Sequence, residues 1–357
     1  MNRRARLRAG LVTNMTNERR LRIGWFVYGA IDQISGGYIY DRLVVEQLRA
    51  FGDEVTVFSL AAGETPEFPL EALDVLVGDE LCFRELGPLF RAAALGQRRV
   101  LLIHHLTAWE HPTGAEQQAL LALERAAIEA ADACVATSAV TAERLRSERL
   151  ALGVHVAEPG ADRLARPDTA GQEPSGARVR LLFVGNILPR KRVLELAQTF
   201  ADLPNAHVEL VLVGAELEPE YGVRVREAVR EAGVFERVRF LGSLETAAVA
   251  EQLALADVLV LPSALEGYGM VLSEALWASV PVIAARVGAA EQLIGRTGAG
   301  LLYEPDDPGG LGAALTAFVC DARLRSRLRR AAWEAAEHLP RWRDTALALR
   351  ATLMQSR

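Results

Sequence analysis

The chain has little cysteine: Cys82, Cys134 and Cys320 are odd in number, far apart and in no Cys-x-x-Cys spacing. That excludes a disulfide framework, suggests no zinc site, and fits a reducing cytosol best. Long apolar runs are missing as well. The apolar stretches end well short of the roughly 18 residues that span a bilayer, so no membrane crossing is expected. Positive charge is also in deficit, with a formal net charge of −6, which argues against broad affinity for nucleic acid. The Arg-rich start, MNRRARLRAGLVTNMTNERR, has no apolar core of a secretory signal, so a cytoplasmic location is expected. That basic start leaves peripheral contact with the inner face of the membrane open. A start at Met15 would remove most of its charge. No Gly-x-Gly-x-x-Gly opens either candidate first turn, which disfavours a nicotinamide dehydrogenase. No Asp-x-Asp pair follows a strand, so neither a metal nor a resident cofactor is expected.

What is present is a globular composition, 50% hydrophobic and 24% charged, over a length that favours two domains. From Leu21, short Val/Ile/Leu-rich runs alternate with amphipathic stretches, as in βαβ units with a parallel sheet covered on both faces. Strands are expected from Leu21, Glu54, Leu73, Arg99, Ala133 and Val154, then again from Val179, His207, Arg237, Asp257, Val280 and Ala299. Between the two series, Ala161 to Arg178 is rich in Pro, Gly and polar residues and has no apolar period. The expected organisation is a flexible extension over 1–20, a Rossmann-like domain over 21–165, a linker over 166–178 and a second Rossmann-like domain over 179–339. A C-terminal helix over 340–357 would be either the last layer of the second domain or a strap across both.

Ligands of open α/β sheets sit beyond the carboxyl ends of the strands. After the first strand, Ser35, Gly36 and Gly37 precede a helix whose free N–H groups suit an anion, although a plain turn explains them as well. After the seventh, Arg190 and Lys191 stand at a helix start, where positive charge opposes the dipole. An anionic ligand would resolve that conflict; a solvated basic turn is the alternative. The segment LPSALEGYGMVLSEALWASVPVIAA is the most informative. It puts Glu266 in a loop after a strand, loosens the backbone at Gly267 and Gly269, and starts a helix at Met270 that carries Glu274 among apolar neighbours. A buried carboxylate needs partners, and one carboxylate can accept from both hydroxyls of a ribose. A surface-loop glutamate and a core carboxylate paired with an arginine are the competing readings. His104 and His105 follow a buried strand on the same ligand edge, with Glu110 and His111 close by in a spacing that matches no common metal pattern.

Taken together, these segments resemble the retaining glycosyltransferases of family 4. The resemblance implies the GT-B fold, two facing Rossmann-like domains with the active site in the cleft between them. Its most specific part is the pair of glutamates in EGYGMVLSE, Glu266 and Glu274. It implies that Glu274 binds the nucleotide ribose, that Glu266 contacts the donor sugar, and that Gly36 and Gly37 approach the diphosphate or sugar. Lys191, with Arg190, would bind the diphosphate, and His104, or failing it His105, would be the first-domain histidine. Gly267, Tyr268, Gly269, Met270 and Val271 complete the implied donor-binding set, with Glu266, His104 and Lys191 as its catalytic members. Two departures stand out. Asn186 occupies a place where the family usually has Arg, and Pro159, Gly160 and Asp162 remain from a motif that has lost an Asn.

The resemblance implies transfer of a sugar, a hexose by expectation, from a UDP-, GDP- or ADP-sugar to an unidentified acceptor with retention of configuration. Lys191, Arg190 and the helix starts near Gly37 and Met270 would stabilise the charge that builds on the departing diphosphate. An inverting enzyme would instead use His104 or His105 as base. A nucleotide-sugar epimerase of the same fold and a non-catalytic nucleotide-sugar binding protein are the other readings. Acceptor contacts are expected around Thr107 to Gly114.

Overall fold

The computed structural model describes residues 19–63, 70–111, 113–166, 178–203 and 207–355. The expected extension up to residue 18, with Met15, and the linker residues 167–177 lie outside the described residues. Among the described residues no helix is long and apolar enough to cross a membrane.

Among the described residues, twelve strands form two all-parallel six-stranded sheets. The first contains β1 (Arg22–Tyr28), β2 (Glu54–Leu60), β3 (Val75–Asp79), β4 (Arg98–Ile103), β5 (Ala133–Ala136) and β6 (Val154–Val156), in the order β2-β1-β3-β4-β5-β6. The second contains β7 (Val179–Val184), β8 (Val208–Val213), β9 (Val238–Gly242), β10 (Val258–Leu261), β11 (Val282–Ala285) and β12 (Gly300–Tyr303), in the order β12-β11-β10-β7-β8-β9. All twelve strands expected from the sequence form, within two residues of their expected starts. Each is a short, nearly continuous apolar run because helices cover both faces of the sheet; Ile23, Trp25, Phe26 and Val27 of β1 are all fully buried.

The crossover helices of the first domain are α1 (Gly36–Ala50), α2 (Phe83–Ala92), α3 (Ala115–Ala130) and α4 (Ala139–Ser147). The second domain carries α5 (Val193–Ala201), α6 (Pro219–Glu231), α7 (Thr246–Leu255), α8 (Met270–Trp277), α9 (Ala290–Thr297), α10 (Gly310–Cys320) and α11 (Ala322–Ala336).

The last helix, α12 (Trp342–Leu353), returns to the first domain and packs against α1. Trp342, Ala346, Leu349 and Leu353 join the core formed by β1 and α1. At its far end Arg350 grips the fully buried Asp53 through Nε, at 2.7 Å from Oδ2. At its start the Trp342 amide donates to Asp162 Oδ1 at 2.8 Å. A Cβ on Gly160 would stand 2.1 Å from the Trp342 nitrogen, so a side chain there would block this seat. The retained Gly160 and Asp162 therefore hold the crossing of α12. Leu164, placed by the sequence at the end of the first domain, sits in the second domain's core.

Candidate functional site

In each sheet the chain reverses its direction of winding next to the first strand laid down, between β1 and β3 and between β7 and β10. Ligands of doubly wound sheets bind at such switch points, and here the two face each other across a cavity of about 380 Å³. Gly36, Gly37, His104, Arg190, Lys191, Glu266, Gly267, Tyr268, Gly269, Met270, Val271 and Glu274 all line it. His105, Thr107, Glu110, Pro159 and Asn186 do as well.

The domains touch inside this cleft. A Cβ on Gly267 would lie 2.1 Å from the carbonyl oxygen of His104 across the gap, so only glycine permits the approach. Gly269, in the left-handed region at φ 82°, lets the loop turn sharply into α8.

Lys191 Nζ stands 2.5 Å from Glu266 Oε1, which also accepts from Ser263 Oγ at 2.6 Å. Burial works to raise the Glu266 carboxyl, but the Lys191 and Arg190 charges and the Lys191 and Ser263 hydrogen bonds outweigh it and hold it below the usual range. Arg190 reaches across the cleft to Glu110 at 3.3 Å, and Glu110 also pairs with His105 Nε2 at 2.5 Å. The His105 hydrogen bond, with Arg190 behind it, holds the Glu110 carboxyl low despite partial burial.

Arg190 and Lys191 do not open an α-helix as the sequence suggested. They belong to a short 3₁₀ turn, Pro189–Lys191, followed by Arg192 in the left-handed region at φ 51°, and α5 begins only at Val193. Proline fixes the first turn and the left-handed residue breaks it from the helix. Carboxylates on both sides of the cleft, and not the helix dipole, set the local field of the two cations.

Glu274 is 2% exposed within α8, as its apolar neighbours implied. Its partner is Arg163, whose Nε and Nη2 meet Oε1 and Oε2 at 2.7 and 2.9 Å, while Nη1 lies 3.3 Å from Thr246 Oγ1. The core carboxylate held by an arginine is thus what the side chains show. A fork of this kind uses one lone pair on each oxygen and leaves the other two available.

On the first-domain wall, Glu80 accepts the backbone amides of His104 at 3.0 Å and His105 at 3.4 Å, fixing the loop after β4. Behind His104 lie Asp41 of α1 and Asp79 at the end of β3, both essentially buried. His111 takes no part in the cavity lining and faces the exposed Glu116 at 3.7 Å. Arg163, Glu80, Asp41 and Asp79 were not singled out from the sequence. Asp41 carries a signal there of the kind that marked Glu274, since it shares the apolar stripe of α1 with Val44, Val45 and Leu48.

Residues 169–335 match the family model described as glycosyl transferases group 1. The second domain is a group 1 glycosyl transferase domain. Among curated relatives, the D-inositol 3-phosphate glycosyltransferase of Xylanimonas cellulosilytica is 31% identical over 250 residues, 66% of this chain and 59% of that one. The N-acetyl-alpha-D-glucosaminyl L-malate synthase of Bacillus anthracis is 32% identical over 156 residues, 43% of this chain and 40% of its own. The chain thus spans about half the length of the curated relatives it matches. Sucrose-phosphate synthase from Thermosynechococcus elongatus superposes with a TM-score of 0.80 at 22% identity, over 93% of this chain and 98% of that one. HepE of Anabaena, solved in complex with UDP and glucose, gives 0.75 at 18% identity over 94% and 99%. These solved neighbours share the two-domain GT-B fold, and the cavity above lies in the interdomain cleft.

Proposed function

We propose that this chain is a glycosyltransferase that moves a sugar from a nucleoside-diphosphate sugar to an acceptor, with the cleft as its donor site. The observation that carries the reading is the convergence, in one cavity at two facing switch points, of Arg190, Lys191, Glu266, Glu274 and two helix starts. The solved HepE complexes with UDP and UDP-glucose support a nucleotide-sugar donor in a fold of this kind.

In this reading the ribose takes the free lone pairs of Glu274, which Arg163 holds in place. The diphosphate lies over the α8 N-terminus and competes with Glu110 and Glu266 for Arg190 and Lys191. As the anomeric bond loosens, negative charge grows on the leaving diphosphate. Lys191 and the backbone amides near Gly37 and Met270 then stabilise it, being prearranged donors that need little reorganisation. Glu266, freed from Lys191, faces the sugar. We infer retention of anomeric configuration and a hexosyl donor from the family resemblance, and independence of metal from the lack of an Asp-x-Asp pair after a strand. Asn186, at a cavity position where the family resemblance leads one to expect Arg, leaves the diphosphate to Arg190 and Lys191.

The test is a calorimetric and thermal-shift screen of UDP, GDP and ADP and their sugar conjugates on wild type and Glu274→Ala. Selective binding to one nucleotide, lost in the variant, is the expected result; no binding to any of them overturns the donor assignment. NMR of the anomeric linkage in the product decides between retention and inversion.

A further inference from the structure

Among the described residues, Asp41 is a buried carboxyl in an unfavourable setting. It is fully buried, neither carboxylate oxygen makes a hydrogen bond of good geometry, and its nearest hydrogen-bonding neighbours are the Trp25 indole and the Asp79 carboxyl. Asp79, 1% exposed, is similar: its Oδ1 accepts the Leu81 amide at 2.8 Å, and its Oδ2 makes no hydrogen bond of good geometry. Around this pair stand Trp25 from β1, Tyr38 and Tyr40 from α1, Glu80 and Cys82 from the turn after β3, and His104 from the loop after β4. None of these is a lysine or an arginine, and His104 is the one base among them.

His104 Nε2 lies 3.5 Å from Asp41 Oδ1 and 3.9 Å from Asp79 Oδ2, is itself buried, and has no other partner. Its edge also faces Gly37, where a Cβ would come within 3.3 Å of Cδ2. The imidazole side chain keeps 13% exposure and lines the cavity. With Nε2 turned inward, Nδ1 is the nitrogen left for the cleft. A buried carboxylate beside one ring nitrogen makes that nitrogen the protonated one and leaves the other as acceptor.

We propose that Asp41, backed by Asp79, is a positioning residue for His104: it holds the Nε2–H and presents Nδ1 at the cavity wall as an acceptor for a hydroxyl of the donor sugar. The proposal rests on the cleft being the donor site. Burial pushes the Asp41 carboxyl up to about 7, and burial followed by the Asp41 charge does the same for Asp79. Burial thus opposes charge on both carboxyls, and it lowers His104 toward the neutral ring that the acceptor role requires. A raised carboxyl stabilises the folded state below its unfolded pKa, and that contribution is lost as pH rises through about 7. The arrangement thus costs stability on the alkaline side, in exchange for the orientation of a ring at the ligand edge.

The test uses the whole chain with ¹⁵N-labelled histidine, its His104 signals assigned with His104→Gln. Long-range ¹H–¹⁵N spectra should show His104 with the proton on Nε2, and Asp41→Asn should give a mixture of tautomers. In the same variant, kcat should fall roughly 10- to 100-fold, the scale on which losing an orienting partner of a ligand histidine acts, with little change in nucleotide affinity. Asp41→Asn should melt no lower than wild type at pH 8, which separates lost orientation from lost folding; Asp79→Asn should show the same pattern, weaker. An unchanged tautomer with unchanged kcat in Asp41→Asn overturns the proposal. So does stoichiometric binding of zinc alone that Asp41→Asn abolishes, since the three side chains lie within 4.8 Å of one another and would then be a metal site. If wild type neither binds nor turns over any nucleotide sugar, the donor reading fails, and the tautomer spectra still report separately on whether Asp41 orients His104.

Discussion

Replacing Lys191 with Ala removes the cation from a carboxylate that burial alone would neutralise. The two side chains are 14% and 8% exposed. Breaking a buried pair by deleting one partner costs about 3–5 kcal/mol, and the low end applies because Ser263 still donates to Glu266. About 3 kcal/mol corresponds to a fall of roughly 6–12 °C in melting temperature. The pH dependence is more telling than the size. In the wild type Glu266 titrates below the usual carboxylate range, so its contribution is present above the unfolded pKa of about 4.3 and disappears as pH falls through the lower folded value. Without Lys191, the desolvation that already opposes the charge prevails, the carboxyl rises, and the variant's deficit grows as pH climbs through the new value. Melting curves of both proteins at pH 7.5 and pH 5 should therefore show a wide gap that narrows in acid. A gap of equal width at the two pH values refutes the electrostatic account of this pair. Turnover at pH 7.5, measured with the nucleotide sugar found by the binding screen, should fall about 10²- to 10³-fold.

Gly267→Ala sets a methyl group against the His104 carbonyl and should cost roughly 1–3 kcal/mol of stability along with most activity; wild-type kcat/KM would show that the domains do not meet there during turnover. Arg350→Ala strands the buried Asp53 and should lower stability by about 3–5 kcal/mol in denaturant titrations, with nucleotide affinity intact in the folded fraction. Arg163→Ala frees the Glu274 carboxylate, so calorimetry should show weaker nucleotide binding if Arg163 orients Glu274; tighter binding would mean that the arginine competes with the ribose.

The strands were legible because parallel sheets buried on both faces leave short continuous apolar runs whatever their partners. The partners themselves were not. The amphipathic stripe of α12 calls for burial yet does not say against which domain, and the answer depends on Asp53, Asp162 and Gly160, distant in sequence. Glu274 stood out as a carboxylate in an apolar helix, but its arginine lies 111 residues earlier in the chain. The start of α5 was misplaced because Arg192 enters the left-handed region, which residue type alone does not signal. Asp41 could have been found: its place on the apolar stripe of α1 is the same anomaly that drew attention to Glu274.

The return of α12 to the first domain also orders events during synthesis. The β1–α1 core is closed by Trp342, Ala346, Leu349 and Leu353, and these residues leave the ribosome after every strand of both sheets has been made. The half of the protein translated first is thus the last able to finish folding. Until the final turns emerge, it must wait with an apolar face uncovered while the sheet β7–β12 can already close on itself.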